Sequence, residues 1–104
     1  MSVKIIEEEN RTVAVLSGEI DHHNAKNLRM EIDFALRENQ PQELILDFSD
    51  VGFMDSSGIG MIMGRYRAMG MRGNCIRVTG VSVYIEKLLH LSGVYKFVEI
   101  CREA

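Results

Sequence analysis

Hydrophobic and polar positions alternate at the start of the chain and later give way, in three stretches, to helical spacing. Val3–Glu8 and Thr12–Ser17 read as β-strands, the second rich in β-branched residues. Glu9-Asn10-Arg11 between them forms a turn in which Asn10 takes a left-handed conformation, so the pair predicts an antiparallel hairpin. Leu28, Ile32, Ala35 and Leu36 form the apolar stripe of a first helix, capped by Asp21 or Asn24 and stopped near Glu38 by Asn39 and Pro41. Arg29 and Asp33, four apart, add an ion pair on its surface.

Leu44-Ile45-Leu46 is too short for a helix and has the character of a strand buried on both faces. Asp47-Phe48-Ser49-Asp50 and Gly52 supply turn chemistry before a second apolar pair, Phe53-Met54. Ile59, Ile62, Met63, Tyr66 and Met69 then mark the inner stripe of a second helix. Gly70–Asn74 leads into a fourth strand, Cys75–Thr79, which Gly80 breaks. Ser82 caps a third helix with Ile85, Leu88 and Leu89 inside and Gly93 at its C-cap. Tyr95–Ile100 makes a last strand ahead of the tail Cys101–Ala104. The order ββαβαβαβ predicts an α/β fold with a mixed central sheet, one domain over residues 1–104.

The candidate chemistry collects at the junction of the third strand and second helix. Asp55-Ser56-Ser57 stands at the amino end of that helix, where free N–H groups and the helix dipole favour a negative group. Either serine serves as an N-cap, but two serines and an aspartate exceed what one cap needs. The surplus hydroxyl is open to phosphorylation, which adds roughly −1.5 to −2 charges beside Asp55. Residue chemistry does not choose between Ser56 and Ser57. Gly58, Gly60 and Gly64 each cost about 1 kcal/mol in a helix relative to alanine. Such a cost implies close packing against a neighbour or close approach of a partner. An exposed Met61 offers an adaptable contact, and Arg65 and Arg67 are expected in solvent along the flank of a docking face.

Composition narrows the classes further. Twelve basic against fifteen acidic residues give a net charge of −3, with no basic run to neutralise a nucleic-acid backbone. Only two cysteines are present, without CxxC spacing, so neither a zinc site nor a disulfide framework is expected and free thiols fit a reducing cytoplasm. His22-His23 invites a metal reading, yet adjacent side chains rarely address one ion and the chain has only one further histidine, His90. The glycine pattern departs from the dinucleotide fingerprint, so no cofactor is expected. A serine-nucleophile enzyme would need a glycine two residues before the serine; Met54 and Asp55 stand there instead. The expectation is a binding protein, cytosolic, without a membrane span and monomeric when free.

The segment FMDSSGIGMIMGRYR, Phe53–Arg67, resembles the signature of STAS-domain anti-sigma factor antagonists. With GEIDHHNA at Gly18–Ala25 it is more similar to the sporulation branch than to the stress-response branch, and the likeness extends to LHLSGVYKF at Leu89–Phe97. The resemblance implies a STAS-like domain with helices mainly on one sheet face. It implies that the unmodified protein binds an anti-sigma factor that is also a serine kinase, releasing a sporulation sigma factor. Ser56 would be the phosphorylated residue, and a serine phosphatase would restore the active form. The implied contact surface comprises Asp21, His22, His23, Asn24, Asp55, Ser56, Ser57, Gly58, Gly60, Met61 and Arg65. A STAS module serving another partner-switching or sensory complex is the alternative.

Overall fold

A computed structural model describes residues 2–102. Strand β1, Ser2–Glu8, returns through Glu9-Asn10 into β2, Arg11–Ile20, and Asn10 takes the expected left-handed conformation with φ 63°. Helix α1 spans Ala25–Asn39, β3 Glu43–Met54, α2 Ser56–Ala68, β4 Ile76–Val81, α3 Val83–Ser92 and β5 Glu99–Arg102. The strands lie side by side in chain order. β1 runs antiparallel to β2, and β2 through β5 are parallel to one another. The expected mixed α/β sheet is present.

Burial alternates in register across the sheet, which shows which face carries the core. Thr12, Leu44 and Ile76 are paired neighbours and all buried, as are Ala14, Leu46 and Val78. The intervening Val13, Ile45 and Arg77 are only half-buried. The helices therefore cover one face, and Leu44-Ile45-Leu46 is not buried on both as its composition implied. α1 contributes Leu28, Ile32 and Ala35 to this core, α2 contributes Met61 and Ile62, and α3 contributes Ile85 and Leu89. Ser82 caps α3 by accepting from the Ile85 N–H at 3.2 Å.

The turn expected at Asp47–Asp50 is absent, because its residues are absorbed into β3. The pairing with β2 skips one residue of β3 between Asp47 and Asp50 and another between Val51 and Phe53. Two β-bulges account for this, each adding a residue to β3 without ending the strand. Buried positions record them: Leu44, Leu46 and Phe48 step by two, then Val51 and Met54 by three. The Asp47 carboxylate accepts from the Ser49 N–H at 2.9 Å and from its hydroxyl at 2.7 Å, turn chemistry used within a strand. Gly80 likewise lies inside β4 instead of ending it. Its φ is +71°, and a Cβ there would overlap the Ser49 hydroxyl and backbone. The last strand also differs from expectation: Val94–Lys96 forms a short 3₁₀ turn and β5 starts only at Glu99. Glu103 and Ala104 of the expected tail lie outside the described residues.

α2 departs most from its pattern. Ile59, Met63 and Tyr66 are half-buried flanks, whereas Gly58, Met61, Ile62 and Arg65 face inward. Arg65 is only 5% exposed and meets Asp33 of α1, with Nε 2.7 Å from Oδ1. Burial lowers its pKa from the ordinary arginine value, and the Asp33 charge opposes that shift. Arg65 is thus not the solvated residue that charge implied, and Asp33 pairs with it rather than with Arg29. Met61, at 3% exposure, is likewise inside.

Candidate functional site

The parallel strands β2 and β3 end level with each other, Ile20 beside Met54. Each then enters its helix through an aspartate. The Asp55 N–H donates to the Ile20 carbonyl at 3.1 Å, which ties the two junctions into one surface at the carboxyl edge of the sheet. The two segments singled out in the sequence, Asp21–Asn24 and Asp55–Gly58, are therefore brought together by strand pairing.

In the first junction, Asp21 Oδ1 accepts from the backbone N–H groups of His23 and Asn24, both at 3.0 Å. Its carbonyl accepts from the Ala25 N–H at 2.9 Å. Asn24 occupies the N-cap position of α1 but makes no side-chain cap; its amide donates back to the Glu19 carbonyl at 3.2 Å. The His22 and His23 rings meet edge-on, 5.8 Å apart, on an exposed turn. Among the described residues no three His, Cys, Asp or Glu side chains are grouped to hold a metal ion.

In the second junction, Asp55 is the cap. Its backbone is extended and its Oδ1 accepts from the Ser57 N–H at 2.8 Å. That hydrogen bond holds the Asp55 carboxyl below its ordinary pKa, against the opposing effect of burial. The Ser57 hydroxyl and the neighbouring His22 add smaller contributions in the same direction. Neither serine is the N-cap, contrary to one sequence expectation. Ser56 is the first residue of α2, exposed, and its hydroxyl makes no hydrogen bond among the described residues. Ser57 is half-buried and turned toward Asp55, so the two serines differ in a way their spacing did not reveal.

The glycines differ too. A Cβ on Gly58 would overlap the Met54 side chain and meet Ile20 Cγ2 at 3.3 Å, so this glycine lets α2 start directly on the strand ends. A Cβ on Gly60 would meet nothing within 4 Å; its face is open. Of the contact residues that the resemblance implies, Asp21–Asn24, Asp55–Gly58 and Gly60 share this edge. Met61 and Arg65 are not exposed as expected: both are turned into the interior, Arg65 against Asp33, although Met61 still lines a hollow beside the site.

Two residues that the sequence did not place at the site lie beside it. Lys26 and Arg29 of α1 line, with His22, Ala25, Ser57, Gly60 and Met61, a hollow of about 330 Å³. A signal for Lys26 existed: α1 has no acidic residue in its first turn, and Lys26 stands there instead. A cation near a helix amino end is unfavourable by about 0.3–1 kcal/mol.

Residues 2–103 match the family model of the STAS domain, and the chain belongs to that family. It is 37% identical to an anti-sigma F factor antagonist of Paenibacillus polymyxa over 102 residues, covering 96% of this chain and 87% of the relative. An anti-sigma-B factor antagonist of Bacillus subtilis (strain 168) is 27% identical, with 96% and 90% covered. Among solved structures, the anti-sigma factor antagonist SpoIIAA in its unphosphorylated form superposes with a TM-score of 0.81 at 26% identity, covering 98% of this chain and 90% of that one. The Bacillus cell fate determinant SpoIIAA in its phosphorylated form gives 0.73 at 26% identity, covering 98% and 93%.

Proposed function

We propose that this protein is an anti-sigma factor antagonist that docks through the carboxyl edge of its sheet and is switched by phosphorylation of Ser56. The observation that carries the reading is the free Ser56 hydroxyl. Asp55 performs the capping, so Ser56 is exposed at the amino end of α2 with no structural duty. Its similarity to an anti-sigma F factor antagonist supports the function, and a relative solved in both phosphorylated and unphosphorylated forms supports the switch.

In the unmodified state, Asp21–Asn24, Asp55–Gly58 and the open Gly60 face would contact an anti-sigma factor that is also a serine kinase, releasing a sporulation sigma factor. Phosphoserine at position 56 adds charge beside ionised Asp55, and a close-docked interface must either pair that charge or lose contact. A penalty of about 1.4 kcal/mol already lowers affinity tenfold. No large rearrangement of the fold is needed, since Ser56 is exposed and the dipole at the start of α2 favours a negative group. A phosphatase resets the switch. The role is binding rather than catalysis, exercised in the cytoplasm without direct contact to nucleic acid.

Incubation with the cognate kinase and ATP, followed by peptide mapping in a mass spectrometer, tests this. One phosphate on Ser56, absent from Ser56→Ala, is expected. Phosphate on Ser57 would overturn the residue assignment. No phosphate from an active kinase would remove the switch and leave a constitutive binding module.

A further inference from the structure

Away from the carboxyl edge, α1 presents a face that neither the core nor the Ser56 surface uses. Met30 and Phe34, one helical turn apart, are 57% and 59% exposed. With Ile5 of β1 they floor a groove of about 620 Å³ whose walls carry Glu7, Glu31 and Glu38. Among the described residues these three carboxylates have no ion-pair partner, and no Lys, Arg or His lines the groove. Beyond it, β1 is the edge of the sheet.

Large apolar side chains left outside the core in a concave surface mark a contact surface. The unpaired carboxylates decide what fits. A second copy using the same groove would bring like charges together, because a two-fold interface meets itself. An anionic lipid surface or a nucleic acid meets the same repulsion. A cationic protein segment does not. Met30, Phe34 and Glu38 form an i, i+4, i+8 row on α1, into whose grooves the ridges of another helix pack.

We propose that the α1–β1 groove docks a cationic amphipathic helix of a partner protein. Its apolar residues seat on Met30, Phe34 and Ile5, and its Lys or Arg residues pair with Glu7, Glu31 and Glu38. This contact is separate from the Ser56 surface and does not depend on it.

The test is a titration of the ¹⁵N-labelled full chain with helical peptides that carry Leu on one face and Lys and Arg on the other, followed by amide chemical shifts. Shifts are expected at Ile5, Glu7, Met30, Glu31, Phe34 and Glu38, with affinity that falls as salt rises. Phe34→Ser should weaken binding by about tenfold while leaving the melting temperature and circular dichroism unchanged, since the side chain is exposed. Joint Glu31→Lys and Glu38→Lys substitution should reject the cationic peptides and admit their Glu-bearing counterparts. The proposal is overturned by shifts confined to Asp21–Asn24 and Asp55–Gly58, by equal affinity for Phe34→Ser, or by no saturable binding of any peptide. Concentration-dependent dimerisation of the free chain through this groove would also overturn it.

Discussion

The two junctions at the carboxyl edge begin alike and diverge after their aspartates. Ile20-Asp21 and Met54-Asp55 occupy paired strand ends, each a buried apolar residue followed by a carboxylate. Asp21 builds a turn by receiving the His23 and Asn24 N–H groups, and α1 begins only at Ala25. Asp55 caps its helix directly, and α2 begins at once with Ser56. One carboxylate is spent shaping a loop; the other frees the hydroxyl beside it from structural work. A residue with no structural duty can be modified at little cost to the fold. That asymmetry is the ground for proposing Ser56, rather than His22 at the matching place, as the position of a switch.

Placing a charge at each position tests the asymmetry most strongly. If the proposed switch holds, Ser56→Glu is expected to weaken binding to the anti-sigma factor by about a hundredfold, about 2.7 kcal/mol, in calorimetric titration. His22→Glu should cost about tenfold or less. Equal losses would dissolve the distinction between the junctions.

The next effect concerns the ion pair that joins α1 to α2. Asp33→Ala strips Arg65 of its partner, and urea unfolding should show a loss of about 2–3 kcal/mol, below the cost at a fully buried pair because Asp33 retains contact with water. A loss under about 0.5 kcal/mol would mean that water solvates Arg65 as well.

Two glycines of α2 should respond with opposite signs. Gly58→Val overpacks Met54 and Ile20 and is expected to cost about 1–3 kcal/mol. Gly60→Ala meets no neighbour and should stabilise by about 0.5–1 kcal/mol through helix propensity. Matching signs in thermal unfolding would place both glycines in the same environment.

The smallest effect is one of pH. Asp55 has a lowered pKa in the folded protein, so its ionised form contributes stability that is present above the ordinary carboxylate value of 3.8. That contribution is lost as pH falls through the lower folded value. The stability gap between wild type and Asp55→Ala should hold steady from neutral pH down to that range and shrink below it. A gap that does not change with pH would mean the cap works without its charge.

Local rules read most of the architecture because they act over a few residues. The hairpin at Asn10, the caps at Ser82 and Gly93 and the order of elements all follow from turn chemistry and periodicity. β3 was misread where two extra residues bulge out, since a bulge uses the same Asp, Ser and Gly that a turn uses. The inner face of α2 was misread because hydropathy cannot recognise a glycine chosen for closeness or an arginine buried against a carboxylate from another helix.

By itself, the sequence determined the order of strands and helices and that a serine pair stands at a helix start. Only the tertiary structure showed by what pairing Asp21–Asn24 comes to lie beside Asp55–Gly58, that Asp55 relieves Ser56 of capping, and that Met61 and Arg65 turn inward. The first group depends on neighbours within one turn of chain. The second depends on the pairing of β2 with β3 and the packing of α1 on α2, contacts between residues far apart in sequence that no local pattern encodes.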